Sequence, residues 1–264
     1  MSLAYAASQG SAHGAEENVG DVILHHVLDS KILHINIFGI DLSITKHVLM
    51  MWIAAALVVL IFRYAFREQR IVPRGLANLL ETIVVFLRDE VILNNMGQEG
   101  KRYLPYLLTV FFFILFCNLL GLIPFGATAT GNISVTAALA LISLIMIQVG
   151  GIREHGLKHH LQNFIPHGIP VWLLPIMIPV EIMGQFTKPF ALCIRLFANM
   201  TAGHIVILAF LSMIFILRSL FISPISVFFA LFISLLEIFV AFLQAYIFTM
   251  LTALFIGMSI HPQH

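Results

Sequence analysis

Polarity divides the chain into a mixed opening and a long apolar remainder. Residues 1–46 mix polar and apolar positions, and KILHINIFGIDLSITK (31–46) has the period-two alternation and internal Gly of a short hairpin or surface turn. From His47 the pattern changes. HVLMMWIAAALVVLIFRYAF is apolar over about 20 residues, the length a helix needs to cross ~30 Å of hydrocarbon; it predicts a first span over 47–67. GLANLLETIVVFLRDEVILNN (75–95) has helical apolar spacing but carries Glu81, Arg88, Asp89 and Glu90, which predicts an amphipathic helix on the cytoplasmic membrane surface. YLPYLLTVFFFILFCNLLGLIPF predicts a second span within 102–125, with Pro105 in its tolerant first turn. GATATGN is a tight loop of small residues, and a third span over 132–152 follows it.

Between Val171 and Ile260 only five residues are formally charged: Glu181, Lys188, Arg195, Arg218 and Glu237. This stretch is too long for one crossing. RSLFISPIS (218–226) is its best turn and divides it into arms 171–217 and 224–260. An arm of about 40 residues reaches roughly 60 Å, twice the hydrocarbon thickness, so each must tilt, bend or leave the bilayer. Pro175, Pro179 and Pro189 offer bend points. The pattern predicts an all-α integral membrane protein with about five membrane-embedded helices, a surface amphipathic helix and a long tilted C-terminal hairpin. Residues 1–46 form an exterior segment and 47–264 the membrane domain.

Composition agrees: 60% of residues are hydrophobic, 10% are charged, and mean hydropathy is +0.99. A net charge of +1 gives no basic field for nucleic acid. Cys117 and Cys193, both in apolar runs, read as small core or lipid-facing side chains rather than a disulfide. Arg63, Arg67, Arg70 and Arg74 follow the first span, against Lys31 and Lys46 before it, which predicts the N-terminus outside and the C-terminus in the cytoplasm.

The chemistry concentrates in the C-terminal arms. Glu181, Gln185, Lys188, Arg195 and Asn199 fall within about 80° of one another at 100° per helical residue. A charge at mid-membrane costs about 2.5–3.5 kcal/mol on insertion scales, so a stripe of this kind is expected to face a partner, a cavity or an ion path. Arg195 holds a permanent charge, so it serves to attract or repel a carboxylate rather than to relay protons. His204, nine residues further on, points about 180° away. In the second arm Ser234, Glu237 and Gln244 form a shorter polar stripe. Antiparallel pairing would bring Gln244 near Arg195 and Glu237 near His204, although the spacings around a 218–226 turn do not close symmetrically.

IRLFANMTAGH (194–204), LQAYIFTM (243–250) and the Glu181 to Arg195 spacing resemble subunit a of F-type ATP synthases, as do FCNLLGLIPF and NISVT. The resemblance covers all but the first 30 or so residues. It implies the membrane stator of a proton channel, not catalytic by itself and needing no cofactor or metal, in the inner membrane of a bacterium. Its implied partners are the c-ring, the peripheral-stalk b subunits, membrane lipid and the translocated protons. Arg195 matches the arginine that separates two half-channels and attracts the ring carboxylate. Glu181 matches the cytoplasmic half-channel, and Asn199, His204, Glu237 and Gln244 match the outer one. In many bacterial members an acid stands at the His204 position and a His at the Glu237 position; here the two are exchanged, as in mitochondrial members. The Arg195 stripe, with Asn199 and Leu192, is expected to face the ring.

Two other readings meet the same residues. A proton-coupled secondary transporter also carries intramembrane ions and proline-broken helices, but no internal repeat is visible here. His155, His159 and His160 in REHGLKHH have a metal-like spacing, yet no HExxH is present and a solvated inner loop explains them better.

Overall fold

A computed structural model describes residues 31–33, 36–37, 40–41, 44–67, 74–123, 128–162, 174–217 and 223–261. The alternating stretch ahead of the first span closes on itself: β1 (Lys31–Leu33) pairs antiparallel with β4 (Ile44–Thr45), and β2 (Asn36–Ile37) with β3 (Ile40–Asp41). Beyond it the described chain is helical, an all-α integral membrane protein in which five helices are long and apolar enough to cross a bilayer. These are α1 (Lys46–Ala65), α3 (Leu104–Gly121), α4 (Ile133–Gln162), α5 (Leu174–Leu217) and α6 (Ser223–Ile260), with α2 (Leu76–Phe86) between the first two. Because no polar backbone group can be left to lipid, helices of this kind are the expected solution for runs this apolar.

α6 is the centre of the packing and touches α3, α4 and α5. Its sequence shows why. Ala241, Ala245, Thr249, Ala253 and Gly257 recur every fourth residue, all are buried, and they make a ridge of small side chains that lets neighbours approach closely. Asn118 Nδ2 of α3 donates to the Ala241 carbonyl at 3.3 Å. A Cβ on Gly257 would run into the Asn95 carbonyl. Phe111, Leu107 and Ile114 of α3 fill the opposite side of the same core.

α2 does more than lie on a surface. It continues through wide π-type turns (Leu87–Leu93) and a tight 3₁₀ stretch (Gly97–Arg102) into α3. Leu80 of α2 and then Leu87, Val91, Ile92 and Met96 of the turns that follow it are buried in the main core, while Leu76, Leu79 and Phe86 of α2 stay exposed. Protein thus covers the apolar side of residues 87–96, whereas α2 itself leaves apolar side chains uncovered by the chain. On the outer side of those turns Arg88 donates to Asp89 at 2.7 and 3.0 Å, and that hydrogen bond holds the Asp89 carboxyl below its ordinary range and raises the guanidinium.

The C-terminal ends of α4 and α6 meet the start of α3. Arg102 lies 3.8 Å from Glu154, His155 Nε2 donates to the Ile260 carbonyl at 2.7 Å, and His261 sits 3.3 Å from Glu99. Gly156 breaks α4 with φ 76° and ψ 158°, a conformation that suits Gly, and ends the apolar run there. The helix thus extends past the 152 boundary read from polarity. His155, the first member of the histidine cluster, is engaged with α6; His159 and His160 have side chains outside the described residues. Among the described residues no group of three or more His, Cys, Asp or Glu is arranged to hold a metal.

Candidate functional site

α5 and α6 set the geometry of the site. α5 runs for 44 residues and α6 for 38, each roughly twice the hydrocarbon thickness in length. α5 continues through Pro179 and Pro189. Each proline removes one backbone N–H, so the Gln185 carbonyl loses its usual helical donor at Pro189.

Three contacts fix the antiparallel register of the hairpin. Lys188 Nζ stands 5.2 Å from the Phe255 ring centroid, His204 Nδ1 lies 2.8 Å from Glu237 Oε1, and Phe210 stacks on Phe229 at 5.5 Å. Interpolating between them puts Arg195 level with Ile247, so Gln244 lies about 4.5 Å along the axis from it. The asymmetry expected from a 218–226 turn is resolved by where the helices stop. α5 ends at Leu217 and α6 starts at Ser223, with Pro224 in its tolerant first turn, so only residues 218–222, outside the described residues, connect them.

The faces of α5 separate cleanly. Leu192, Cys193, Leu196 and Met200 are buried, while Ala191, Ile194, Arg195 and Ala198 are exposed. Arg195 therefore points out of the chain, with Asn199 partly covered at its side. Leu192 does not share that face: at 2% exposure it packs into the main core, because α4 and α6 close over that side of α5. Glu181 lies two turns before Lys188 in α5, and its side chain is outside the described residues. Gln244 is buried at 5% exposure.

His204 and Glu237 are brought together. Glu237 is 4% exposed, and its Oε2 has no hydrogen-bond partner among the described residues. A buried carboxylate oxygen of that kind is costly unless protonated, hydrated or paired. Gly203 permits the contact, since a Cβ there would sit 2.7 Å from Glu237 Oε1. On its far side His204 Nε2 meets Thr128 Oγ1 at 2.6 Å and the Gly121 carbonyl at 3.0 Å. Thr128 in turn accepts a hydrogen bond at its carbonyl from His47 Nδ1 at 3.0 Å.

The sequence reading misses Thr128, Gly121, Gly203 and His47. GATATGN reads as a loop of small residues, and nothing in it distinguishes Thr128 from Thr130, which instead donates to Asn118 Oδ1 at 2.7 Å. Cys117 and Cys193 are both buried and free.

A family model described as ATP synthase A chain matches residues 48–257. The chain is 50% identical to ATP synthase subunit a 2 of Prosthecochloris aestuarii, over 97% of its own length and 84% of that protein's. It is 56% identical to ATP synthase subunit a of Myxococcus xanthus, over 85% of its length and 75% of the relative's. ATP synthase subunit a 2 of Chlorobaculum tepidum is 50% identical, over 96% of this chain and 76% of that one.

Proposed function

The chain belongs to the ATP synthase A chain family, and from that premise we propose that it is the stator half of the proton channel in an F-type ATP synthase of a bacterial inner membrane. It has no catalytic centre of its own. Its work is to give protons two offset aqueous paths, one from each side, that meet only at a rotating c-ring. The peripheral-stalk b subunits hold it still while the ring turns.

The observation that carries this reading is the placement of Arg195. A permanent charge stands on the outward face of a membrane helix, level with the middle of a long hairpin, while the titratable groups beyond it are turned inward. An uncompensated charge at that depth is expensive, so a partner outside this chain must meet it, and a ring carboxylate has the right chemistry. Arg195 attracts the deprotonated carboxylate and keeps protons from running directly between the two paths. On the outer path a proton reaches the His204–Glu237 pair and passes beside Asn199 and Gln244 to the ring. After rotation it leaves along the inner path past Glu181. Arg63 near the end of α1, Arg102 just ahead of α3 and Arg153 near the end of α4 lie at one end of these helices, and by the positive-inside tendency they support a cytoplasmic position for it.

Crosslinking tests the arrangement. With Cys117 and Cys193 replaced, Ala198→Cys on the Arg195 face should form disulfides with cysteines set near the carboxylate of a small, multicopy hairpin subunit that co-purifies with the chain. Leu192→Cys, on the covered face, should not. Crosslinks from Leu192 and none from Ala198 would overturn the proposal, as would a chain purified from its membrane with no such subunit.

A further inference from the structure

The His204–Glu237 pair accounts for only one side of the imidazole. On the other side, Nε2 has two partners of opposite character: the Thr128 hydroxyl, which can donate or accept, at 2.6 Å, and the Gly121 carbonyl, which can only accept, at 3.0 Å. An unprotonated Nε2 is satisfied by the hydroxyl, and a protonated one by the carbonyl. The nitrogen therefore has a partner in either state, which is what a proton carrier in a low-dielectric bundle requires and a purely structural histidine does not.

The surroundings hold that hydroxyl in place. Thr128 is buried at 4% exposure. Its side chain fills the space left by the missing Cβ of Gly121, where any larger residue would collide with it. Gly121 is the last residue of α3, so its carbonyl belongs to the set a helix leaves unpaired at its C-terminus, where the helix dipole also favours a cation. His47, buried at the start of α1, donates to the Thr128 carbonyl and ties the loop to the first span.

We propose that Thr128 is a proton-path residue: its hydroxyl delivers protons from the outer side to His204 Nε2, and Gly121 and His47 are the positioning residues that fix it there. This rests on the reading of His204 as an outer half-channel group. In the step itself a proton arriving from outer water binds Thr128 Oγ1 as the hydroxyl's own proton moves to Nε2. The hydroxyl is restored, the imidazole gains one proton, and the new N–H turns to the Gly121 carbonyl. On the opposite edge, Nδ1 faces Glu237.

Inverted membrane vesicles holding the whole synthase test this through ATP-driven proton uptake and through passive proton flux after the catalytic sector is stripped. Thr128→Val keeps the shape and removes the hydroxyl; it should slow both at least fivefold with normal amounts of the chain in the membrane. Thr128→Ser should retain more than half of wild-type flux. In a His204→Ala background, Thr128→Val should add no further loss, because the hydroxyl then has nothing to serve. Slow His204→Ala with wild-type Thr128→Val would overturn this inference and leave the half-channel reading standing. Wild-type flux in His204→Ala would overturn that reading itself. If Thr128→Val does not accumulate, His47→Leu and His47→Gln carry the test. Only Gln keeps an N–H for the Thr128 carbonyl, so slowing confined to Leu is expected, and equal rates for the two would refute the role.

Discussion

Arg195 and His204 stand nine residues apart on one helix and are treated in opposite ways. His204 is turned into the bundle, where Glu237, Thr128 and Gly121 meet it at 2.6–3.0 Å. Arg195 is turned out, on a face shared with Ala191, Ile194 and Ala198. The same low dielectric applies to both, and an isolated charge left in it without a partner costs several kcal/mol. The outer groups meet that cost within the chain, whereas the arginine stands exposed on the outward face. A helix that engages its histidine within the bundle and presents its permanent charge outward fits the proposed stator, in which the partner for that charge is a ring carboxylate.

Removing the presented charge should have the largest effect. Arg195→Ala should abolish ATP synthesis and make the assembled membrane sector leak protons passively, measured as flux through vesicles without ATP. Arg195→Lys should fail as well, because a compact ammonium loses the planar fork and sheds its proton more readily when desolvated. Wild-type synthesis by Arg195→Ala would mean that the outward face has no such role, and the contrast with His204 would lose its meaning.

Changes at the inward pair should be smaller and should not leak. His204→Ala and Glu237→Ala should each slow ATP-driven pumping roughly tenfold or more, a modest share of what a positioned proton carrier contributes. Since the two groups touch, their effects should be strongly non-additive in a double-mutant cycle. The exchange His204→Glu with Glu237→His keeps one acid and one base in contact and should recover more flux than either single alanine. Strictly additive losses, or an exchange worse than both singles, would show that the groups act separately.

Much of this layout is readable in the chain, and what escapes reading does so for identifiable reasons. Apolar runs of membrane length fix the class of fold, because lipid leaves the backbone few options. Helical arithmetic also finds the polar stripe of α5 and anticipates the contact of His204 with Glu237. It cannot choose which flank of the stripe is covered, since that depends on where α4 and α6 pack. Leu192 and Arg195 are three residues apart, and one is core while the other is surface. The burial of residues 87–96 after α2 hides for the same reason: an amphipathic face looks identical whether lipid or protein will cover it. Thr128 is invisible because its importance comes from a missing atom, the Cβ of Gly121, seven residues away. Pro224 signals a loop as well as it signals the first turn of a helix, and here it stands in the first turn of α6.

Two glycines carry the contrast to its finest scale. Gly257 lies on the covered side of α6, where an added Cβ would strike the Asn95 carbonyl, a backbone atom that cannot swing aside. Gly257→Ala should destabilise the chain itself by about 1–3 kcal/mol, the usual cost of overpacking, and reduce its accumulation in the membrane. Gly184 is the opposite case. It meets nothing within 4 Å, and its offset of 11 residues places it within about 20° of Arg195 on the same outward face. Gly184→Ala should leave the chain unharmed, with a slight gain from better helix propensity. Gly184→Leu should separate the two kinds of surface: the isolated chain should insert and accumulate normally, while its co-purification with the ring falls, because the added bulk faces the partner and nothing within the chain. If Gly184→Leu lowered accumulation of the chain as much as Gly257→Ala does, the face around Arg195 would be interior after all. If it changed neither accumulation nor assembly, the ring would have to approach at a different level of α5, and Arg195 would meet it without close contact along the inner half of the helix.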